Sequence, residues 1–284
     1  MTADFGPGFT TSSVALEEVT LGVTVGGSGP PVLLLHGYAE SSRMWKPLAR
    51  VLAASCTVIA PDLPGFGASS IPSTGLDMKT SAERVHAAVK SLGLTNRKIR
   101  VVGHDIGLMI AYAYAALYRQ DVEKLALMDA FLPGIAGWES IYDNQALWHF
   151  RFHGPTPEAL VKGRERIYFE HFWNDFAADG TRSIPDADRE AYTAEYARPG
   201  RMAAGFAYFA SFPKTAGEFA ELARTQLTIP VLSIGGAKSL GVALGEQAKL
   251  ISPKVKVVVL EDAGHWIIEE RPRETIAALV DFLH

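Results

Sequence analysis

One pentapeptide carries most of the chemistry in this sequence: Gly103-His104-Asp105-Ile106-Gly107. It follows a β-branched run (Ile99, Val101, Val102) that reads as a buried strand, and a strongly apolar helix starts directly behind it. Small residues at both ends permit a very tight strand-to-helix turn, which thrusts the middle residue out at the helix N-terminus. A serine at such a turn attacks acyl carbon with a histidine as base. On saturated carbon it would form an ether that the enzyme could not easily break. Asp105 changes what is feasible. A carboxylate is ionised at neutral pH, and the helix dipole favours that state. It can displace an epoxide oxygen or a halide from saturated carbon, forming an ester that water hydrolyses at the carboxylate's own carbonyl. The plainer alternative is that Asp105 only caps the helix, where Asp is a preferred residue.

The elements around this turn must present it to a ligand. Val14 to Val25 reads as two short strands ending in the turn signal from Gly26 to Pro31. A buried strand, Val32 to Leu35, runs into His36-Gly37-Tyr38, and a helix follows with apolar residues at Met44, Leu48, Val51 and Leu52. Strand Thr57 to Ala60, the loop PDLPGFGAS and a helix from about Ala82 to Leu94 precede the pentapeptide. Strand Leu125 to Met128 ends at Asp129, and after Pro133-Gly134 the β/α alternation stops. From about Ile135 to Arg224 the chain is rich in aromatics and reads as helices and loops. Alternation resumes with Val231 to Ile234, a helix near Leu244 to Ile251, strand Val255 to Leu260 and a closing helix, Glu274 to Leu283. This pattern predicts a mostly parallel sheet covered on both faces, with residues 1–133 and 227–284 as the core and 134–226 as a helical cap. Ligands of such sheets bind beyond the carboxyl ends of the strands. His36, Asp105, Asp129 and the region near His265 all fall there.

Composition excludes several classes. With 284 residues, 48% of them hydrophobic and a net charge of −4, the chain gives no reason to expect nucleic acid or an anionic membrane surface. The lone Cys56 cannot form an internal disulfide and reads as a buried small residue. No basic or apolar leader opens the chain, no apolar run approaches a membrane span, and no Cys/His cluster has metal-ligand spacing. A cytoplasmic location without metal or cofactor is the expectation.

The runs LLLHGYAESSRMW, VIAPDLPGFGASS, VVGHDIG and EDAGHW, in this order and spanning essentially the whole chain, resemble the α/β-hydrolase fold. An Asp nucleophile narrows that resemblance to epoxide hydrolases and dehalogenases. WHF at Trp148–Phe150, EYARPGRMAAGFAYF and GGAKSLG are most similar to the bacterial Cif-type epoxide hydrolases. The resemblance implies a general base at His265, since imidazole can take a proton from water near neutrality whereas an esterified Asp105 cannot. A histidine base needs an acid to fix its tautomer. The loop after the seventh strand, GGAKSLG, offers no Asp or Glu, so the resemblance points to Asp129 after the sixth, with Glu246 a distant second choice. It implies an oxyanion hole from the backbone N–H groups of Tyr38 and Ile106. Ala39 stands where the family usually has proline, and His36 and His104 read as structural.

An epoxide oxygen is a poor leaving group without donors, and the Cif-type His/Tyr pair maps onto His149 and Tyr208. His153, His171, Tyr192 and Tyr196 read as ordinary cap residues. Haloalkane dehalogenases typically carry Trp directly after the nucleophile and haloacetate dehalogenases carry arginines there. Here the stretch is Ile106-Gly107-Leu108-Met109-Ile110, which counts against both. Epoxide hydrolysis to a vicinal diol is the leading expectation, with a haloalkane or haloacid dehalogenase second. A non-catalytic ligand-binding member of the fold is third. The partners expected are a small hydrophobic epoxide and water, to which family analogy would add a homodimer. Trp138, Trp148, Phe152, Phe172, Trp173 and Phe176 account for the expected apolar character of the cap.

Overall fold

A computed structural model describes residues 4–94 and 97–284. Strands β1 (Phe9–Ala15) and β2 (Thr20–Gly27) form a hairpin, and β3 (Pro31–Leu35) is buried along its whole length. After a 3₁₀ turn at Ser42–Trp45 come α1 (Lys46–Leu52), β4 (Thr57–Pro61), α2 (Met78–Ser91), β5 (Ile99–His104), α3 (Ile106–Leu117) and β6 (Val122–Met128). The first strand starts five residues before the sequence pattern announces it. That stretch is mostly exposed, so it carries no apolar signal. Val51 departs from the helical spacing too: it is 47% exposed, because α1 turns only Leu48, Ala49 and Leu52 inward.

The sheet order is β1-β2-β4-β3-β5-β6-β7-β8, antiparallel at β1/β2 and β2/β4 and parallel from there on. Strands β7 (Val231–Gly236) and β8 (Val255–Leu260), joined by α10 (Gly241–Ile251), complete it. The closing helices α11 (Ile267–Glu270) and α12 (Pro272–Leu283) cover one face. Two apolar clusters sandwich the sheet. One holds α2, α3 and most of the cap aromatics; the other holds α1, α12 and the opposite strand faces, with Cys56 buried in it.

Between β6 and β7 the regular elements are all helical: α4 (Trp138–Tyr142), a kinked 3₁₀ segment Gln145–Arg151, α5 (Pro155–Val161), α6 (Glu165–Asp175), a 3₁₀ turn Gly180–Arg182, α7 (Asp186–Tyr196), α8 (Arg201–Ala210) and α9 (Phe212–Leu222). They form a cap over the carboxyl ends of the strands. Trp173 Nε1–H donates to the carbonyl of Ala39 (3.2 Å), the Tyr196 hydroxyl to that of Glu40 (3.2 Å), and the His265 amide to that of Phe176 (2.8 Å). These bonds seat the cap on the loops that carry the candidate site. Among the described residues no helix is long and apolar enough to cross a membrane.

Candidate active site

Asp105 sits between β5 and α3 with φ 53° and ψ −126°, a conformation that L-residues avoid. The flanking glycines make the turn possible. A Cβ on Gly103 would lie 2.2 Å from the Gly107 carbonyl oxygen, and one on Gly107 would lie 2.3 Å from that of Leu35. The carboxylate does not cap α3: no helix amide donates to it. Its Oδ1 instead accepts the Tyr38 N–H at 2.8 Å, and its Oδ2 faces His265 Nε2 at 3.7 Å. The Ile106 amide opens the first turn of α3 beside it.

His265 and Asp129 reach this carboxylate from two other strand ends. Asp129, completely buried and also at positive φ (39°), accepts the His265 Nδ1–H on Oδ2 at 2.8 Å. The same oxygen takes the Ser239 hydroxyl at 2.7 Å, and Oδ1 takes the Gly236 amide at 2.9 Å. With its proton fixed on Nδ1, His265 presents the Nε2 lone pair to the space beside Asp105. Gly235 lacks a Cβ where one would lie 2.5 Å from Asp129 Oδ1, so β7 can press against the carboxylate. Glu246, the second choice for this acid, is outside the site, pairing with Lys249 on the exposed side of α10.

Two histidines brace the site. His36 Nε2 accepts the Leu63 amide (3.0 Å), which leaves Nδ1–H for the Gly37 carbonyl (2.8 Å). His104 Nε2 lies 3.0 Å from the His265 carbonyl, an acceptor only, so that nitrogen carries the proton. With the imidazole neutral, its Nδ1, 3.2 Å from Glu40 Oε2, accepts and Glu40 donates. Burial pushes the Glu40 carboxyl well above the usual range, which keeps it neutral. The contact is a neutral hydrogen bond between fully buried groups rather than an ion pair.

A cavity of about 500 Å³ opens over Asp105 and His265, walled by the cap and by Met109, Phe131 and Leu240. His149 lines it and is nearly buried among Phe150, Phe172, Phe176 and Phe209. That burial pushes its pKa down to about 3, helped by His171 and His265, so the imidazole is neutral. Of the six cap aromatics singled out from the sequence, Trp148 and Phe176 face the cavity, beside Phe150 and Phe212, and Phe172 lines the narrow space beside Tyr38. Trp138, Phe152 and Trp173 pack elsewhere in the cap.

Tyr208 corrects the sequence reading. It is fully buried, its ring stacks on Phe66 (5.4 Å), and its hydroxyl donates to the Pro64 carbonyl (3.0 Å) and bonds Ser81 Oγ (2.9 Å). One residue along α8 is a rotation of about 100°. It is Phe209 that turns to Tyr38 and His149, at 4.7 and 5.1 Å. Tyr208 therefore presents no hydroxyl to the cavity.

The sequence reading missed Ser239 and Glu40. The loop GGAKSLG drew attention for lacking an acid, and its serine is the donor that serves the acid on the neighbouring strand. Nothing in sequence pattern marks Glu40 as buried. Among the described residues no group of three or more His, Cys, Asp or Glu could hold a metal ion.

Comparison with known proteins agrees with this architecture. The chain is 34% identical to the soluble epoxide hydrolase of Corynebacterium sp. (strain C12), over 90% of this chain and 91% of that one. It is 27% identical to the fluoroacetate dehalogenase of Burkholderia sp., over 97% and 94%. The Cif epoxide hydrolase of Acinetobacter nosocomialis superposes with a TM-score of 0.90, covering 98% of this chain and 90% of that one. At 23% identity this last likeness speaks for the fold alone. Residues 30–272 match the family described as alpha/beta hydrolase fold, and the chain belongs to it.

Proposed function

We propose that this protein hydrolyses epoxides to vicinal diols through a covalent ester on Asp105. The observation that carries the reading is the split environment of one carboxylate: Oδ1 on the Tyr38 amide, Oδ2 facing both the cavity and His265. Oδ2 attacks an epoxide carbon and the carbon–oxygen bond of the ring breaks. The neutral His149 supplies one N–H to the departing oxygen. Its Nδ1 is buried without a partner, which leaves Nε2 as the nitrogen to turn to the substrate. His265 Nε2 then takes a proton from water while hydroxide adds to the ester carbonyl. The oxyanion rests on the Tyr38 and Ile106 amides. Collapse breaks the bond to the alkyl oxygen. The two protons of the water end on the two diol hydroxyls, and Asp105 returns as carboxylate. Asp129 holds the His265 tautomer and its charged form, and Ser239 and Gly236 hold Asp129. In this reading residues 134–226 are the cap domain and 1–133 with 227–284 the core.

The same carboxylate could displace a halide, and likeness to a dehalogenase keeps that as the second reading. Against it stands the uncharged stretch Ile106–Ile110, which offers a haloacid carboxylate nothing beside the nucleophile. Epibromohydrin offers both bonds to one enzyme. Diol without early bromide is expected, with no product from Asp105→Ala and a substrate-mass adduct retained by His265→Gln. Prompt bromide with the ring intact would overturn the reading.

A further inference from the structure

The cap holds a second carboxylate–imidazole pair that the reaction leaves unused. His171, on α6, lies 2.7 Å through Nδ1 from Asp175 Oδ2, one turn further along the same helix. Its Nε2 lies 3.1 Å from Trp148 Nε1. An indole nitrogen only donates, so His171 Nε2 is a lone pair and the proton is on Nδ1, where Asp175 accepts it. All three side chains line the cavity above Asp105. Because the indole occupies Nε2, this pair is no second catalytic base, although it repeats the arrangement of Asp129 and His265.

The group that needs holding is next to Trp148 in the chain. Among the described residues, none makes a hydrogen bond to either ring nitrogen of His149 that could orient it. Nδ1 is buried without a partner, and the ring is surrounded by the edges and faces of phenylalanines. Its placement depends on the backbone of Gln145–Arg151, a 3₁₀ segment broken at Leu147 (φ −99°, ψ 38°). Such segments have poorer hydrogen-bond geometry than an α-helix and are uncommon beyond three or four residues. Side chains on either side of His149 anchor it instead. Downstream, Arg151 bonds the Tyr142 carbonyl and Asp143. Upstream, Asn144 Oδ1 caps the segment by accepting the Ala146 amide (3.0 Å), and the Trp148 indole, next to His149 itself, is anchored on His171.

We propose that the chain Asp175–His171–Trp148 is the tether that holds His149 over Asp105, with His171 acting as a positioning residue for the ring-opening donor. This rests on the epoxide hydrolase reading, in which His149 meets the departing oxygen. A displacement of about 1 Å at such a donor can cost a hundredfold in rate. His171→Leu removes the acceptor, whereas His171→Gln keeps one at the ε position, because its amide oxygen can take the indole N–H.

The test is rapid-quench kinetics on an epoxide, following formation and decay of the Asp105 ester by intact-protein mass. His171→Leu is expected to slow ester formation about tenfold or more. The decay rate, which belongs to His265, and KM should stay within about twofold. His171→Gln should recover most of the loss. Trp148→Phe should match His171→Leu, and the double variant should be no slower than either, because the two residues act in series. Additive losses, equal damage from Gln and Leu, or equal slowing of formation and decay would overturn the tether. Should His171→Leu fail to fold, His171→Gln against Trp148→Phe makes the same comparison. If the unaltered enzyme forms no ester with any epoxide, the functional reading fails. If it does and His171→Leu behaves like it, only the tether fails.

Discussion

At the scale of single residues, the site is governed by where protons are kept rather than by how many charges are present. Asp129 and Glu40 are both buried carboxyl groups near His265, yet their partners differ in kind. Asp129 faces three donors, the Gly236 amide, the Ser239 hydroxyl and the His265 ring, and serves as acceptor to all. Glu40 faces an imidazole lone pair, and its second oxygen has no partner among the described residues. It is held neutral at a cost, since an exposed glutamate ionises above its ordinary value of about 4.5 while the folded site resists ionisation. That cost is absent in acid and grows as pH rises through the unfolded value. Glu40→Gln keeps a donor for His104 Nδ1 and removes the ionisation. The variant should therefore gain stability over the parent, more at pH 8 than at pH 5, by about 2–5 °C in Tm at the higher pH. Thermal unfolding at the two pH values checks this, and an equal shift at both would refute a neutral Glu40.

At the scale of elements, the site depends on three strand ends meeting where backbone can touch backbone. Gly107 has no room for a side chain: a Cβ would lie 2.3 and 2.4 Å from the carbonyl oxygens of Leu35 and His36. Both obstacles are main chain and cannot rotate away. Gly107→Ala should cost about 3 kcal/mol or more by denaturant titration, and what remains folded should lose turnover as α3 is pushed from β3. This part of the structure was legible beforehand, because a glycine-flanked pentapeptide between a β-branched run and an apolar helix leaves few alternatives. The strand ends at Asp129 and before His265 were legible from the β/α alternation, whose apolar runs stop just short of each. The cap was not. In α8, Phe206, Tyr208, Phe209 and the nearby Phe212 are all buried, so no polar face reveals which residue looks into the cavity. A one-residue step then moved the expected phenol off the site. Ser239 and Glu40 escaped notice because their roles come from long-range contacts that no local pattern encodes.

At the scale of the molecule, cap and core share their most buried contacts. The Tyr38 ring packs against Phe169, Phe172, Tyr196 and Phe209 of the cap while its own amide holds Asp105. The indoles of Trp173 and Trp266 each bond a carbonyl across the boundary, at Ala39 and Phe172. Cap and core should accordingly unfold together. Calorimetry is expected to show one transition, lowered by Trp173→Phe as a buried carbonyl loses its donor, at about 1–3 kcal/mol. Two resolved transitions, with the cap melting first, would contradict this.

The three non-glycine residues at positive φ among those described are Ala39, Asp105 and Asp129, one beside the oxyanion hole and two in the proposed triad. Two of these conformations are inseparable from the proposed reaction, which uses the carboxylates where they stand. Ala39 contributes its carbonyl to Trp173, which any residue could supply, and a side chain of one methyl group. Proline, whose ring fixes φ near −65°, cannot take its φ of 61°. Glycine can take it freely. Durability and turnover, usually traded against each other where strain and catalysis coincide, come apart at this one position: a hardier enzyme is reachable there without borrowing from the reaction.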